Sequence, residues 1–277
     1  MTENTRQILD GVAETLLITL YVRAMESQRP VALIKDDNAV ALVAQVGHDF
    51  SRFKQIRMDE DDKVTIVLRN REFDRYARDF LVRHPDAVVV HIGCGLDSRF
   101  ERVDNGQVDW YDLDLPEVIE LRRKLLGNEG ERYHFLSYSV FDHSWLEIIS
   151  SHRQRPFLFL AEGVFMYFKE TRVKSLVLAL RERFLGAELV FDAFSPTLVR
   201  MNNLRFAITK LSARYYWGLK RGRDIEGWDD DIHLLDEWFI FDHPEPRLAH
   251  IQWMRHIPFL ARVIGIFHYQ LGDAITR

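Results

Sequence analysis

Val88-Val89-Val90-His91-Ile92, Gly93-Cys94-Gly95-Leu96-Asp97-Ser98-Arg99 and, soon after, Val108-Asp109-Trp110-Tyr111-Asp112-Leu113-Asp114 form the stretch whose reading decides the fold. A short apolar, β-branched run closed by glycines is the pattern of a buried parallel strand. Two glycines one residue apart let the backbone approach a ligand closely. The second run ends in carboxylates, and Asp114 follows Gly95 by 19 residues. That is near the spacing of about 20 at which an acid on the second strand meets the ribose hydroxyls of a nucleotide. The third glycine of the dinucleotide fingerprint is missing, since Leu96 and Asp97 follow directly. The loop therefore suits an adenosine without a pyrophosphate better than NAD.

Downstream, strand and helix patterns alternate. Pro116 opens a helix carrying Val118, Ile119, Leu121, Leu125 and Leu126, at a position where its missing N–H costs nothing. Residues 133–140 read as a third strand, Ser144 as the cap of a helix over 145–149, and 157–161 as a continuous apolar strand followed by Glu162-Gly163. A helix over 171–184 and a fifth strand over 188–192 follow. Strands separated by helices imply a parallel sheet with right-handed crossovers. In such sheets ligands lie beyond the carboxyl ends of the strands, where Gly93, Asp114, Ser139 and Glu162 fall.

Upstream, Val12, Leu16, Leu17, Leu20, Tyr21 and Ala24 recur at helical spacing, predicting a helix to about Ser27. Short helices over 39–46 and 71–82 follow, the last stopping before His84-Pro85. Arg69 and Arg71 then stand at a helix start. They are either solvated residues or a clamp for a carboxylate. From Ser195 to Trp238 the pattern breaks into a segment rich in Arg, Asn, Tyr and Trp, read as inserted helices that serve as a lid or as an extra packed layer. A strand at 238–241, a helix around 248–254 and a last strand over 262–269 complete seven strands.

Composition sets outer limits. The chain has 277 residues, 47% hydrophobic and 29% charged, with net charge −5. It can bury a large core, and its charge gives no overall bias toward nucleic acid. The single cysteine, Cys94, excludes an intramolecular disulfide. No histidine pair has metal-ligand spacing, so no metal is expected. His91, inside an apolar strand, reads as a hydrogen-bonded core residue. Asp112 reads as a structural acid, capping the helix that follows. The opening is polar and no apolar run spans a bilayer, which makes the cytoplasm the expected location, without a membrane partner.

The motifs together resemble the leucine carboxyl methyltransferase family, and more closely its bacterial branch of S-adenosylmethionine-dependent O-methyltransferases similar to a polyketide-tailoring enzyme. The resemblance rests on Gly11-Val12-Ala13-Glu14-Thr15, Arg23-Ala24-Met25-Glu26-Ser27, Arg69-Asn70-Arg71-Glu72-Phe73-Asp74, the glycine turn, Trp110-Tyr111-Asp112-Leu113-Asp114-Leu115-Pro116 and Ala161-Glu162-Gly163-Val164-Phe165-Met166-Tyr167, all in the family's order. It implies a class I methyltransferase (Rossmann-like) fold with a seven-stranded, mostly parallel sheet. The chain would be one methyltransferase domain: a helical region over 1–86, a cofactor core over 87–194, an insertion over 195–238 and closing strands over 239–277.

The resemblance also implies the site. Arg69, with Arg71 close by, would hold the cofactor's carboxylate. The backbone at Gly93 and Gly95 would pass the methionine part, and Asp114 would take the ribose. Glu162 would line the same pocket. Where the family has an aspartate that bonds the adenine amino group, this chain has Ser139 before Val140, an acceptor without the charge that strengthens the bond. The expected reaction is methyl transfer from S-adenosylmethionine, leaving S-adenosylhomocysteine, to a hydroxyl or carboxyl of a small molecule. Tyr167 and a histidine of the late insertion are weak candidates for a catalytic base, none is assigned, and a carboxylate acceptor needs none. Two other classes compete: a methyltransferase-like protein that binds without turnover, and a nucleotide-dependent oxidoreductase.

Overall fold

The apolar run at Val88–Ile92 is a strand (β1) buried at every residue. Its odd and even positions face different cores. Val88, Val90 and Ile92 join Trp145, Phe159 and Phe191 on one face of the sheet, while Val89 packs with Phe73, Phe80 and Trp110 on the other. The computed structural model describes residues 16–46, 58–127, 129–209 and 214–273. The predicted helix start at Val12 and the Gly11–Thr15 motif lie outside them.

The helices are α1 (residues 16–27), α2 (Asp37–Val46), α3 (Glu60–Arg83), α4 (Arg99–Val103), α5 (Pro116–Leu126), α6 (Ser144–Ile149), α7 (Glu170–Arg183), α8 (Pro196–Thr209) and α9 (Pro258–Ala261). The remaining strands are β2 (Asp109–Asp114), β3 (Tyr133–Ser137), β4 (Phe157–Ala161), β5 (Ala187–Phe194), β6 (Ile232–Phe239) and β7 (Ile264–Leu271). They form one seven-stranded sheet in the order β3-β2-β1-β4-β5-β7-β6. The first five positions are parallel, and β7 runs antiparallel between β5 and β6. This is the class I methyltransferase sheet that the resemblance implies.

Register aligns the carboxyl ends. Ile92 pairs with Leu113 and with Ala161, so Gly93, Asp114 and Glu162 emerge side by side. Ser137 pairs with Asp114, and Phe191 pairs with Ala161, bringing Asp192 to the same edge.

Several boundaries differ from the sequence reading, each for a physical reason. Helix α3 begins at Glu60, not at 71. The Asp59 side chain caps it by accepting from Asp62 N at 2.9 Å, and Glu60, Asp61 and Asp62 in the first turn suit the positive end of the helix dipole. Arg69 and Arg71 are therefore interior to the helix. Strand β3 stops at Ser137, leaving Ser139 and Val140 in a turn closed by Asp142 N donating to Ser139 O at 2.9 Å. Ser144 is the first residue of α6 and not its cap; just ahead of the helix, Asp142 Oδ1 accepts from Ser144 N at 3.1 Å and from Ser144 Oγ at 2.7 Å.

Strand β6 starts at Ile232, inside the segment read as an insertion. It is an edge strand, and its charged Asp236 and Glu237 mask the pattern while blunting the edge. The expected helix around 248–254 is two short 3-10 turns, Pro246–Leu248 and Gln252–His256. Leu248, Ile251 and Met254 pack on one cluster at strict spacings of three, the period of a 3-10 turn and not of an α-helix.

At the amino end of β5, Arg83 donates through both Nη atoms to Glu188 at 2.7 Å, and His268 Nε2 lies 2.6 Å from its Oε2. Burial opposes the charge on Glu188, but Arg83 and His268 hold its carboxyl down to about 2, against an ordinary 4.5. A folded-state value below the ordinary one contributes stability above pH 4.5, and that contribution is lost as pH falls toward 2. Because Arg83 is half exposed, solvent screening discounts the effect to about 2 kcal/mol. Glu188→Gln is expected to lower the urea midpoint at pH 7, with the difference shrinking below pH 4.5 and closing only near pH 2. Equal midpoints at pH 7 would show the triad to be neutral.

Candidate active site

The glycine turn is built for close approach and is propped from below. Gly93 and Gly95 have φ of +65° and +52°, values an L side chain rarely adopts. A Cβ on Gly93 would stand 2.4 Å from Val164 Cγ2, and one on Gly95 would stand 2.6 Å from Leu16 Cδ2. Asp114 locks the outer side. Its Oδ2 accepts from Gly95 N at 2.8 Å and its Oδ1 from Leu115 N at 2.7 Å. Each oxygen keeps a lone pair free for a ligand hydroxyl. Burial pushes the Asp114 carboxyl up from its ordinary value, against those two N–H donors.

The inner side rests on Arg122 of α5. Its Nη1 donates to Gly95 O at 2.7 Å and Asp97 O at 2.9 Å, and its Nη2 reaches Asp112 and, at 2.7 Å, Tyr133 Oη. Asp112 also accepts from Trp110 Nε1 at 2.8 Å and Tyr133 Oη at 2.5 Å. Like Trp110 and Asp114, two positions to either side, it lies on the face of β2 opposite Tyr111 and Leu113. It is an ion-pair partner under the turn, and not a helix cap. Burial opposes its charge, yet Arg122 holds its carboxyl below the ordinary range. Cys94 fills this buried turn, and burial pushes its thiol well up, so it stays a thiol. His91 is a core residue whose Nε2 lies 3.2 Å from Arg99 Nη1. Because a guanidinium only donates, that nitrogen accepts.

Arg69 reaches the carboxyl edge from the middle of α3. Its Nε donates to Glu162 Oε1 at 2.9 Å and its Nη1 to Asp192 Oδ2 at 3.1 Å. Asn70 Nδ2 donates to the same Glu162 oxygen at 2.6 Å, and Arg99 Nη2 to the other at 2.5 Å. Gly163 N donates to Asp192 Oδ1 at 2.6 Å. Both carboxylates are thus held, and Glu162 acts by fixing Arg69. Among the described residues Arg69 Nη2 has no acceptor. It lies 3.4 Å from where a Cβ on Gly163 would stand, beside a backbone with φ of +70°. Burial works against the guanidinium's charge, but Asp192 and Glu162 raise its pKa above the ordinary value.

The ion network continues beneath. Arg99 pairs with Asp74 at 2.8 Å and Asp97 at 3.2 Å. Arg102 bridges Asp74, Asp97 and Asp36 at 2.7, 2.9 and 2.9 Å, and Arg23 of α1 closes it on Asp36 at 2.9 Å. Arg23, Asp74, Asp97 and Arg99 all lie in the motifs that carry the resemblance, so much of that signature is buried scaffold.

Arg71 is elsewhere. Two helix positions turn about 200°, and Arg71 lines a separate cleft of about 490 Å³ with Asp36, Asn38, Arg78 and Glu101. Ser139 and Val140 follow directly on Tyr138, whose N donates to Asp114 O at 3.0 Å. Phe141 N approaches Ser139 Oγ at 3.4 Å, and Val140 O accepts from Trp145 Nε1 at 3.1 Å. Tyr167 meets Tyr215 edge to face with ring centroids 5.2 Å apart, near enough to Arg69 and Asp192 to feel both charges. Burial pushes both phenols up. Both phenols are thus favoured in the protonated, donating form. Asp192, Asn70, Arg99, Arg122 and Tyr215 escaped the sequence reading. Only Asp192 carried a signal, as an acid ending a parallel strand.

This geometry agrees with what the chain is similar to. The model of the family described as leucine carboxyl methyltransferase matches residues 16–180, from α1 through Arg69, the glycine turn, Asp114 and Glu162. The chain belongs to the leucine carboxyl methyltransferase family. Within reach of this family, the tetracenomycin polyketide synthesis O-methyltransferase TcmP of Streptomyces glaucescens is 35% identical over 237 residues, covering 85% of this chain and 86% of the relative. The S-adenosyl-L-methionine-dependent methyltransferase dpfgK of Gibberella zeae is 29% identical over 277 residues, covering 94% of this chain and 92% of the relative. The solved structure of a candidate methyltransferase from Thermobifida fusca YX shares the fold, with TM-score 0.58 at 15% identity, covering 95% of this chain and 99% of that one. No helix among the described residues is long and apolar enough to cross a membrane.

Proposed function

We propose that this S-adenosylmethionine-dependent methyltransferase places its methyl group on an oxygen of a small-molecule acceptor, a hydroxyl or a carboxyl. The observation that carries the reading is the carboxyl edge of the sheet. Arg69 Nη2 stands there without an acceptor among the described residues, beside Gly163, and the Asp114 carboxylate is pinned at the other side of the glycine turn. A donor for a carboxylate at one end and an acceptor for ribose hydroxyls at the other fit the two ends of S-adenosylmethionine. Kinship with TcmP, at 35% identity, supports oxygen as the acceptor atom.

S-adenosylmethionine supplies a methyl already activated on a sulfonium. The chain's work is then to bind, align and exclude water. Arg69 holds the carboxylate, Gly93 and Gly95 let the backbone close on the ligand, Asp114 holds the ribose, and Ser139 and Val140 border the adenine. Tyr167 and Tyr215 wall the acceptor side and can donate to its oxygen. Arg71, facing another cleft, takes no part.

Calorimetry tests the cofactor and mass spectrometry the transfer. S-adenosylhomocysteine is expected to bind and NAD is not. A panel of phenols, alcohols and carboxylic acids is expected to yield an acceptor gaining one methyl. NAD binding without the methionine nucleosides would overturn the reading. Cofactor binding with no methylated acceptor would leave a binding protein.

Ser139→Asp is expected to tighten S-adenosylhomocysteine and adenosine alike by about 1 kcal/mol, several-fold in affinity, because the adenine amino group then donates to a charged oxygen. If both Ser139→Asp and Ser139→Ala leave both affinities unchanged, Ser139 does not read the adenine.

A further inference from the structure

His91 is the one polar residue of β1, set between Val90 and Ile92 and buried like them. An apolar residue would fill that position without the cost of desolvating an imidazole. The ring stands between two buried ions. Its Nε2 lies 3.2 Å from Arg99 Nη1, and its Nδ1 lies 3.5 Å from Asp112 Oδ1. Since a guanidinium only donates, Nε2 accepts and the ring proton sits on Nδ1. The two contacts differ in weight. Asp112 already accepts from Arg122, Trp110 Nε1 and Tyr133 Oη, and the longer contact leaves His91 Nδ1 without a hydrogen bond among the described residues. Arg99 is fully buried, and among the described residues its Nη1 has no acceptor but His91.

We infer that His91 is a positioning residue for the carboxylate end of the cofactor site, acting through Arg99. Three carboxylates compete for that guanidinium: Asp74 Oδ1 accepts from Nε at 2.8 Å, while Nη2 has Glu162 Oε2 at 2.5 Å and Asp97 Oδ2 at 3.2 Å. Attraction alone does not choose between Glu162 and Asp97. A planar fork held at two nitrogens has its third one aimed, so Asp74 on Nε and His91 on Nη1 together turn Nη2 to Glu162. Glu162 Oε1 in turn accepts from Arg69 Nε at 2.9 Å, which sets the Arg69 Nη2 beside Gly163. A neutral acceptor suits the position of His91, because it satisfies Nη1 without adding another anion to those already competing for Arg99. The ribose end does not depend on it. Asp114 is held by the Gly95 and Leu115 N–H groups, and Asp112 keeps its stronger partners without His91. The inference rests on the reading of Arg69 as the donor to the ligand carboxylate.

Calorimetry on His91→Asn and His91→Gln tests the inference. The asparagine amide ends at the depth of Nδ1 and leaves Arg99 Nη1 without an acceptor, whereas the glutamine amide oxygen reaches the depth of Nε2. His91→Asn is expected to weaken S-adenosylhomocysteine about fivefold while adenosine affinity holds within about twofold, and His91→Gln to bring S-adenosylhomocysteine back to within about twofold of the parent. A histidine that only fills the core would move both ligands together or neither, and glutamine would do no better than asparagine. Either result overturns the inference. Arg69→Lys, which alters the carboxylate donor itself, separates the two readings. If it changes the ratio of the two affinities and His91→Asn does not, the positioning role alone fails; if neither variant changes the ratio, the reading of Arg69 fails with it. Nitrogen NMR of the histidine rings in the parent protein needs no variant to stay folded, with the His91 signals assigned by their loss in His91→Gln. His91 is expected to carry its proton on Nδ1, and its Nε2 signal to shift on adding S-adenosylhomocysteine and to stay in place on adding adenosine. A proton on Nε2, or a signal indifferent to S-adenosylhomocysteine, overturns the inference.

Discussion

Arg122→Met is expected to destabilise the protein by about 3–5 kcal/mol, the cost of stranding a buried charge. The substitution preserves apolar volume in α5 but leaves Asp112 in the core without its cation, facing the Trp110 and Tyr133 donors and the His91 ring. The carbonyls of Gly95 and Asp97 also lose their donor. In a chain of this size the loss corresponds to a melting temperature lower by roughly 10 °C. The turn that Arg122 props is the one whose outer side carries Asp114, so S-adenosylhomocysteine affinity should fall as well, even at temperatures where the variant is fully folded. Replacing both partners, Arg122→Met with Asp112→Leu, should cost less than Arg122→Met alone, because no charge is then buried without a partner. Urea unfolding of the three proteins decides it. A double variant less stable than Arg122→Met would mean that packing, and not pairing, holds the turn.

The difference between what could and could not be read ahead of the structure follows the range of each interaction. β1 and β4 are buried on both faces, so apart from His91 their residues are apolar and the runs announce themselves. The glycine turn and Asp114 are legible because a local backbone requirement fixes residue types at short spacing. The partners of buried charges are not local. Arg69 meets Glu162 across 93 residues and Asp192 across 123, and nothing near Arg99 or Arg122 shows that they enter the core. The first turns of α3 look solvated because Glu60, Asp61 and Asp62 are, while Asn70, Glu72 and Asp74 further along the helix are buried. Placing the helix start too late put Arg69 and Arg71 together at one end. The full helix separates them, one to the site and one to another cleft. Tyr215 could not be placed at all, because it reaches Tyr167 only through the packing of α8 and the Asn203 clasp.

Arg69→Lys separates the two tasks of this residue and carries the other large expectation. Lysine keeps a charge for Asp192 but lacks the planar fork that serves Glu162, Asp192 and a free third nitrogen at once. Glu162 retains Asn70 and Arg99 as donors, so the variant should fold, with stability reduced by about 1–2 kcal/mol. The ligand carboxylate loses the Nη2 donor beside Gly163. A charge-assisted bond of that kind is worth about 1.5–3 kcal/mol, and S-adenosylhomocysteine affinity should fall from roughly tenfold to more than a hundredfold. Adenosine has no carboxylate, so its affinity should hold in Arg69→Lys. Asp114→Asn, by contrast, should weaken both ligands, since the ribose is common to them. The ratio of the two affinities is therefore the quantity to measure by calorimetry. An unchanged ratio in a folded Arg69→Lys protein would remove Arg69 from the carboxylate end and leave it as part of the scaffold that orders β4 and β5.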